Sequence, residues 1–462
     1  METAAEWTCL GVLAGVAFLV CVKTLRFRSG ILYLPSLVAL AFLGFLGPQA
    51  IGVIRSGSAP WYAVCKFLLF SALCVAAVYW GWAHGPTRPA RLADPRLYRA
   101  ELRLLFWIGL GLEVLGLLGQ WRLAGLVGGF RNLYLGAAGY GLEWRGEPVI
   151  YAFFADYLVP GGLLVALAAL RLRSSWRLVF ALPALALQMA TVLLVARRTP
   201  LAVLLVTVGC LLYWTRGWLP SRLPVLCIGG LTAAMMFALP LFRVPGGIFS
   251  GLPIRETAFG AVGEALRKGG TEFQDGCFLL QVTEEEKAFQ YGLGFYNSWV
   301  RYFVPRRIVG DEGKERLLLD LPDAGHVGPK ASAVANRYEW QIDPTTVPTG
   351  PASVFQQFWY LGWICYWLLA RWLKKHWLAA STGNIWSQTV YAVSAPYALT
   401  SIVNDIYSFY LPLFKVVLPL GLLIMSVSTS MSKGSKQRLL TQRALAARRG
   451  VSEPVVRVRC KQ

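Results

Sequence analysis

The sequence predicts an all-α, polytopic helical membrane protein with about eleven transmembrane helices and one long extracytoplasmic loop. Three observations carry that prediction. The chain is 56% hydrophobic and only 15% charged, against roughly 45–50% and 25% in ordinary soluble domains. Apolar runs recur along it, each close to the roughly 20 residues that cross a bilayer as a helix. The basic residues fall in every second connector, the alternation expected of a chain threaded back and forth through a membrane.

The apolar runs lie near 7–22, 32–54, 61–83, 104–119, 149–170, 178–196, 201–214, 223–242, 353–370, 385–403 and 407–427. The first, fourth and seventh are short, which implies tilt or local thinning of the bilayer. The organisation is then 1–242 as a bundle of eight spans, 243–352 as a large extracytoplasmic loop, 353–432 as three further spans and 433–462 as a basic cytoplasmic tail. Glu2 and Glu6 stand where a signal peptide carries basic residues, so no cleavable leader is expected. No solenoid repeat is visible.

The formal net charge of +21 raises the question of nucleic acid, and its distribution answers it. Connectors after odd-numbered spans, with the tail, hold 25 Lys and Arg against three carboxylates, a net +22; the other side nets −1. The excess is a topology signal that puts the basic side in the cytoplasm, the N-terminus outside and the C-terminus inside a cytoplasmic (cell inner) membrane. Nucleic acid is not an expected partner; membrane lipid is. Trp and Tyr near span ends read as interfacial anchors.

The segment 243–352 carries 14 of the 24 carboxylates and reads as water-facing. Cys277 is its only cysteine, so it holds no internal disulfide, and the thiol is expected to react with membrane-impermeant reagents from outside. Cys460 should react only once the membrane is opened. No Cys/His spacing resembles a zinc site, no P-loop, HExxH or dinucleotide fingerprint is present, and neither metal nor cofactor is expected.

Several residues stand out chemically. Arg197-Arg198-Thr199-Pro200 forms a tight outward turn against the charge rule. Two guanidiniums at a helix start could hold a phosphate or pyrophosphate; the plainer alternative is two snorkelling arginines. Arg131 lies in a glycine-rich loop as a second anion ligand or a loop salt bridge. Glu113 and Asp156 stand within spans, where ionisable groups invite a functional reading. Phe295, Trp299, Tyr302 and Phe303 recur at helical spacing. They predict a helix along the membrane, ended by Pro305, with Arg301, Arg306 and Arg307 clustered at its end. His326, in a glycine-flanked turn, and Glu339 are candidate general bases. Arg337-Tyr338-Glu339-Trp340 mixes charge with aromatic faces suited to sugar stacking.

The order of these features resembles the Wzy-type oligosaccharide repeat-unit polymerases, which extend O-antigen and related surface polysaccharides. The resemblance spans roughly 197–371. It rests on the turn Ala196-Arg197-Arg198-Thr199-Pro200-Leu201, the element Tyr302-Phe303-Val304-Pro305-Arg306-Arg307, and the passage from Thr349-Gly350-Pro351 to Phe358-Trp359-Tyr360-Leu361-Gly362-Trp363. The chain departs from that family at Gln356-Gln357, where such proteins often carry a carboxylate, and in its outward N-terminus. The resemblance implies a membrane glycosyltransferase whose substrate is a polyprenyl-pyrophosphate-linked oligosaccharide. Flippase and chain-length regulator proteins would be its partners. It also implies that Arg131, Arg197, Arg198, Arg301, Arg306, Arg307 and Arg337 bind substrate, with His326 or Glu339 as base. An O-antigen ligase-type transferase, with the same donor and a different acceptor, is the closest alternative. A transporter or a non-enzymatic scaffold of polysaccharide export is the other class.

Overall fold

The computed structural model describes residues 2–85, 98–135, 147–219, 221–242, 247–249, 251, 253–304, 306–321, 329–338, 340, 349–417, 419 and 421. Among these residues every regular element is a helix. Seven helices are long and apolar enough to cross a membrane. They are α1 (Glu2–Leu25); the continuous span Leu34–Ser56, made of α2 (Leu34–Ala41), a π-helical turn and α3 (Gly47–Ser56); and α4 (Trp61–Ala83). Next come Leu102–Leu126 within α5 (Tyr98–Leu126), and Pro148–Arg171, built from α7 (Glu147–Ala155) and α8 (Leu158–Arg171) after the short α6 (Phe130–Leu135). Ser175–Val195, ending in α9 (Leu182–Val195), and α10 (Arg198–Arg216) complete the set.

The three runs that looked short are full-length helices, because polar residues at their ends continue the helix: α1 has 24 residues, α5 has 29 and α10 has 19. The remaining four expected spans are not shown as crossings among the described residues, and 422–427 of the last run lie outside them. The run 223–242 is α11 (Arg222–Ala238), 17 residues closed by a 3-10 turn. The run 353–370 is two helices, α17 (Gly350–Phe358) and α18 (Trp363–Ser381), broken where Trp359 takes φ 54°. Helix α18 carries Arg371, Lys374 and Lys375 inside itself rather than in a following connector. Its neighbour α19 (Ile385–Val403) is 19 residues long but rich in buried hydroxyls and amides, among them Ser387, Gln388, Thr389, Ser394, Thr400 and Ser401. The last run begins with α20 (Tyr407–Pro412), whose Pro412 gives way to a π-helical turn at Leu413–Val417.

Helix α18 packs between α4 and α19, α19 against α10, and α5 against α7 and α8. Contacts sort the connectors to two ends of the bundle. At one end Lys374 donates to the carbonyls of Ala83 (3.3 Å) and Gly85 (3.2 Å), a cation on the C-terminus of α4. At that same end Arg171 reaches Gly383 O (3.0 Å) and Gln388 Oε1 (2.6 Å). At the other end lie the start of α4, the turn before α10 and most of 243–352.

That segment is not a water-facing loop throughout. It folds into α12 (Ile254–Lys268), α13 (Thr271–Glu285), α14 (Leu293–Phe303), α15 (Arg306–Leu317), α16 (Pro329–Arg337) and the start of α17. Every position of α13 from Phe273 to Thr283 except Gln274 is buried, with α3, α4 and α17 packed against the helix. Gly276 permits this approach: a Cβ there would come within 2.8 Å of the Phe67 ring and of Thr349 Oγ1. Gln49 from α3 accepts the Phe273 N–H at 3.1 Å, supplying the cap that Gly270 lacks. Cys277 is fully buried, which reverses the expected labelling. A membrane-impermeant maleimide should leave Cys277 unmodified in folded protein and modify it after denaturation. Ready labelling of intact protein would mean that α13 does not pack as described.

Candidate membrane-surface site

Two helices converge where the aromatic run was expected. Helix α14 begins after Gly292 in the left-handed region (φ 83°) and ends at Phe303, two residues before Pro305. Its Gly294, Asn297 and Val300 are buried, while Tyr296, Trp299 and Tyr302 face outward, one apolar face on each side of a surface helix. Asn297 joins it to the end of α15 with two bonds, accepting from Leu319 N–H (2.9 Å) and donating to Leu319 O (2.7 Å). Lys314 of α15 then donates to the Arg301 carbonyl at 2.7 Å. Arg306 pairs with Asp311 at 3.0 Å. Arg301, Arg306 and Lys314 thus share one corner. Partial burial, followed by the guanidiniums of Arg306 and Arg301, holds Lys314 below its ordinary value against the pull of Asp311. Asp311 already offsets part of this positive charge through its pair with Arg306. Asp405, in the connector between α19 and α20, and Arg301 both lie within electrostatic reach of Tyr302 and Tyr407, with opposite sign.

Gln356 and Gln357 hold this corner in place. Both are buried. Gln357 accepts the Gly294 N–H at 3.2 Å and donates to Gln290 Oε1 (2.5 Å) and Tyr407 Oη (3.0 Å). Gln290 N–H in turn donates to the Gln356 carbonyl at 2.9 Å. A carboxylate at 357 could accept from Gly294 but could not donate to Gln290 Oε1, so it would require the Gln290 amide and the Tyr407 hydroxyl to turn and donate instead. Tyr410 donates to Phe295 O at 2.9 Å, and the Phe295 ring lies 4.8 Å from Tyr410 and 5.7 Å from Phe358. Beneath α14 opens an apolar groove of about 550 Å³, walled by Phe295, Tyr296 and Trp299, by Leu368 and Trp372 of α18, and by Phe409 and Phe414.

Of the arginines singled out in the sequence whose side chains are described, only Arg301 and Arg306 are brought together. Arg198 is engaged elsewhere. It forms an ion pair with Glu272 on the first turn of α13, donates from Nε to Met236 O (2.7 Å) and lies 4.8 Å over the Phe45 ring. Phe45 stands in the π turn Phe42–Leu46 and packs on Phe237 at 4.9 Å. One guanidinium therefore ties four helices. Arg197 is the N-cap of α10 and exposed; Thr199 sits 3.5 Å from Asn404. Arg337 binds Glu285 at 2.8 Å, a carboxylate that also accepts from Tyr338 (2.5 Å). Arg131 is exposed on α6. The Arg307 side chain, His326 and Glu339 lie outside the described residues. Of the two acids in spans, Asp156 pairs with Lys415 where α7 breaks from α8, and Glu113 accepts the Ala184 N–H (3.1 Å) on the first turn of α9.

Lys314 and Asp405 escaped the sequence reading. Lys314 has no motif. Asp405 had the same signal as Arg197, a charge in a very short connector between two apolar runs. Among the described residues no three His, Cys, Asp or Glu side chains could hold a metal ion. Compared with protein-family models, curated proteins and solved structures, the chain matches none.

Proposed function

We propose that the protein is a membrane glycosyltransferase that polymerises polyprenyl-pyrophosphate-linked oligosaccharide repeat units. The observation that carries this reading is the gathering of Arg301, Arg306 and Lys314 at the end of a surface helix whose earlier turns, at Phe295, Tyr296 and Trp299, wall an apolar groove. An anionic head and a hydrocarbon tail are the two halves of one lipid, and these are the two surfaces that would take them. The reading includes an eleven-crossing topology with the N-terminus outside the cell inner membrane and α12–α17 on the outer face.

In the proposed reaction an acceptor hydroxyl attacks the anomeric carbon of the lipid-linked chain. The new C–O bond forms as the bond to the pyrophosphate oxygen breaks, and the electron pair leaves on polyprenyl pyrophosphate. That group is a stable anion, so holding its charge in a preorganised cluster supplies most of what is needed. The cations would do this, with Arg307 joining them from the next position in sequence. The hydroxyl proton needs a carboxylate or imidazole. Asp405 enters beside His326 and Glu339 as the candidate, since it stands two residues before Tyr407, whose hydroxyl meets Gln357 beneath α14. Arg198 drops out of the pyrophosphate contacts because Glu272 already holds it.

Deleting the gene and inspecting surface polysaccharide on a gel tests the reading. Loss of the long-chain ladder with single repeat units retained is expected. Loss of lipid A attachment with free chains still made would favour the ligase-type transferase instead. A second reading, a transporter, draws on one observation: Asp156 and Lys415 meet where two helices are interrupted, a feature of transporter binding sites. Saturable oligosaccharide uptake into proteoliposomes without chain growth would favour it.

A further inference from the structure

The glycine-rich stretch around Arg131 has no part in the site above, yet it borders a second recess. Helix α5 ends at Leu126, and Gly128 (φ 84°) and Gly129 (φ 111°) turn the chain into α6. Asn132 fixes that turn by donating to Val127 O (3.1 Å) and Gly128 O (3.3 Å). The result is a recess of about 480 Å³ walled by Trp121, Arg122, Gly125, Gly129, Phe130 and Tyr151. This lies within the roughly 300–1,000 Å³ of small-molecule sites. Three aromatic rings border it, with Trp121 58% and Phe130 47% exposed. The Arg122 guanidinium stands 5.5 Å from the Trp121 ring.

Two features distinguish the recess from an interfacial aromatic belt. It is concave, and part of its floor is open backbone: a Cβ built on Gly125 meets no atom within 4 Å. Exposed ring faces beside a guanidinium and the bare backbone of Gly125 suit a ligand with a C–H face and a rim of hydroxyls. The ring quadrupole is negative on its face and attracts the slightly positive C–H edge of a sugar, while the guanidinium donates to hydroxyl or carboxylate oxygens. The recess also lies at the proper end of the bundle. Leu133 and Tyr134 of α6 pack on Val195 at the end of α9, one residue before the turn that leads through Thr199 and Asn404 to Asp405.

We infer that this recess is a pyranose-binding subsite for the sugar part of the substrate, separate from the corner that holds the lipid head. The inference rests on the glycosyltransferase reading for the identity of its ligand, but the recess can be tested without it. The probe is a panel of methyl hexopyranosides, N-acetylhexosaminides and uronides, none carrying lipid or phosphate. They are followed by saturation-transfer NMR on the full chain in nanodiscs of phosphatidylethanolamine and phosphatidylglycerol. At least one class should receive saturation from the parent protein. G125L, whose Cβ meets no atom within 4 Å and whose side chain enters the recess, should weaken that binding at least tenfold. W121A should do the same while both variants melt like the parent. No saturation by any class, or binding unchanged in G125L, overturns the proposal. So does a photoactivatable phospholipid that labels the recess in the parent and not in G125L while every glycoside fails, because the recess would then hold a lipid headgroup. If glycosides bind and depend on Gly125, yet gene deletion leaves the polysaccharide ladder intact, the subsite stands and the polymerase reading falls.

Discussion

Arg198→Ala is expected to destabilise the protein before it affects any chemistry. The side chain and its partner Glu272 are only 12% and 14% exposed. Removing one member of such a pair leaves the other charge buried without compensation, which typically costs about 3–5 kcal/mol. The variant would also lose the bond to Met236 O and the contact with the Phe45 ring. A lower melting temperature in detergent and reduced membrane abundance should result. Arg198→Lys keeps the charge but not the planar fork that serves three partners at once, so it should recover only part of the loss. The double variant Arg198→Met/Glu272→Leu should melt above Arg198→Ala, because no charge is then stranded. Thermal unfolding followed by size-exclusion fluorescence makes the comparison. An Arg198→Ala protein that melts like the parent but makes no product would return Arg198 to the substrate.

This outcome separates two meanings that the sequence could not. An arginine pair on the side of the membrane that carries few net positive charges signals that something negative lies near. Whether that is a ligand or Glu272, 74 residues away in the chain, depends on how 243–352 folds. The membrane class was legible because spans are set by local apolar length, and seven of the expected runs stand as helices of crossing length. Their ends were less legible, since Glu2, Arg198 and Arg216 are helical although polar. The break at Trp359 was hidden, because Phe358-Trp359-Tyr360-Leu361 is apolar throughout and carries no proline or glycine until Gly362. The burial of α13 was hidden for the opposite reason. Its ends bear Glu272, Glu284 and Glu285, so the segment reads as polar, while Phe278, Leu279, Leu280 and Val282 fill the space beside α4. The aromatic helix, with its spacing and its terminal arginines, was the part of the candidate site most fully written in the sequence. Lys314 joins it only because Asn297 folds α15 back onto α14.

The central claim is that the cations at the end of α14 hold the head of an anionic lipid-linked substrate, and the double variant Arg301→Ala/Arg306→Ala tests it most directly. Both side chains are exposed, Arg306 by 46%, and neither ties helices together as Arg198 does. The variant should therefore reach the membrane and melt like the parent. Each lost charge-assisted contact is worth roughly 1.5–3 kcal/mol, or about ten- to a hundredfold in turnover. Arg→Lys at both positions should restore part of it, by charge without bidentate geometry. The measurement is chain formation per folded protein, from purified protein and polyprenyl-pyrophosphate-linked repeat units. The account predicts at least a tenfold loss in the double alanine variant with partial rescue by lysine. Chain formation near the parent level by a well-folded double alanine variant would contradict it.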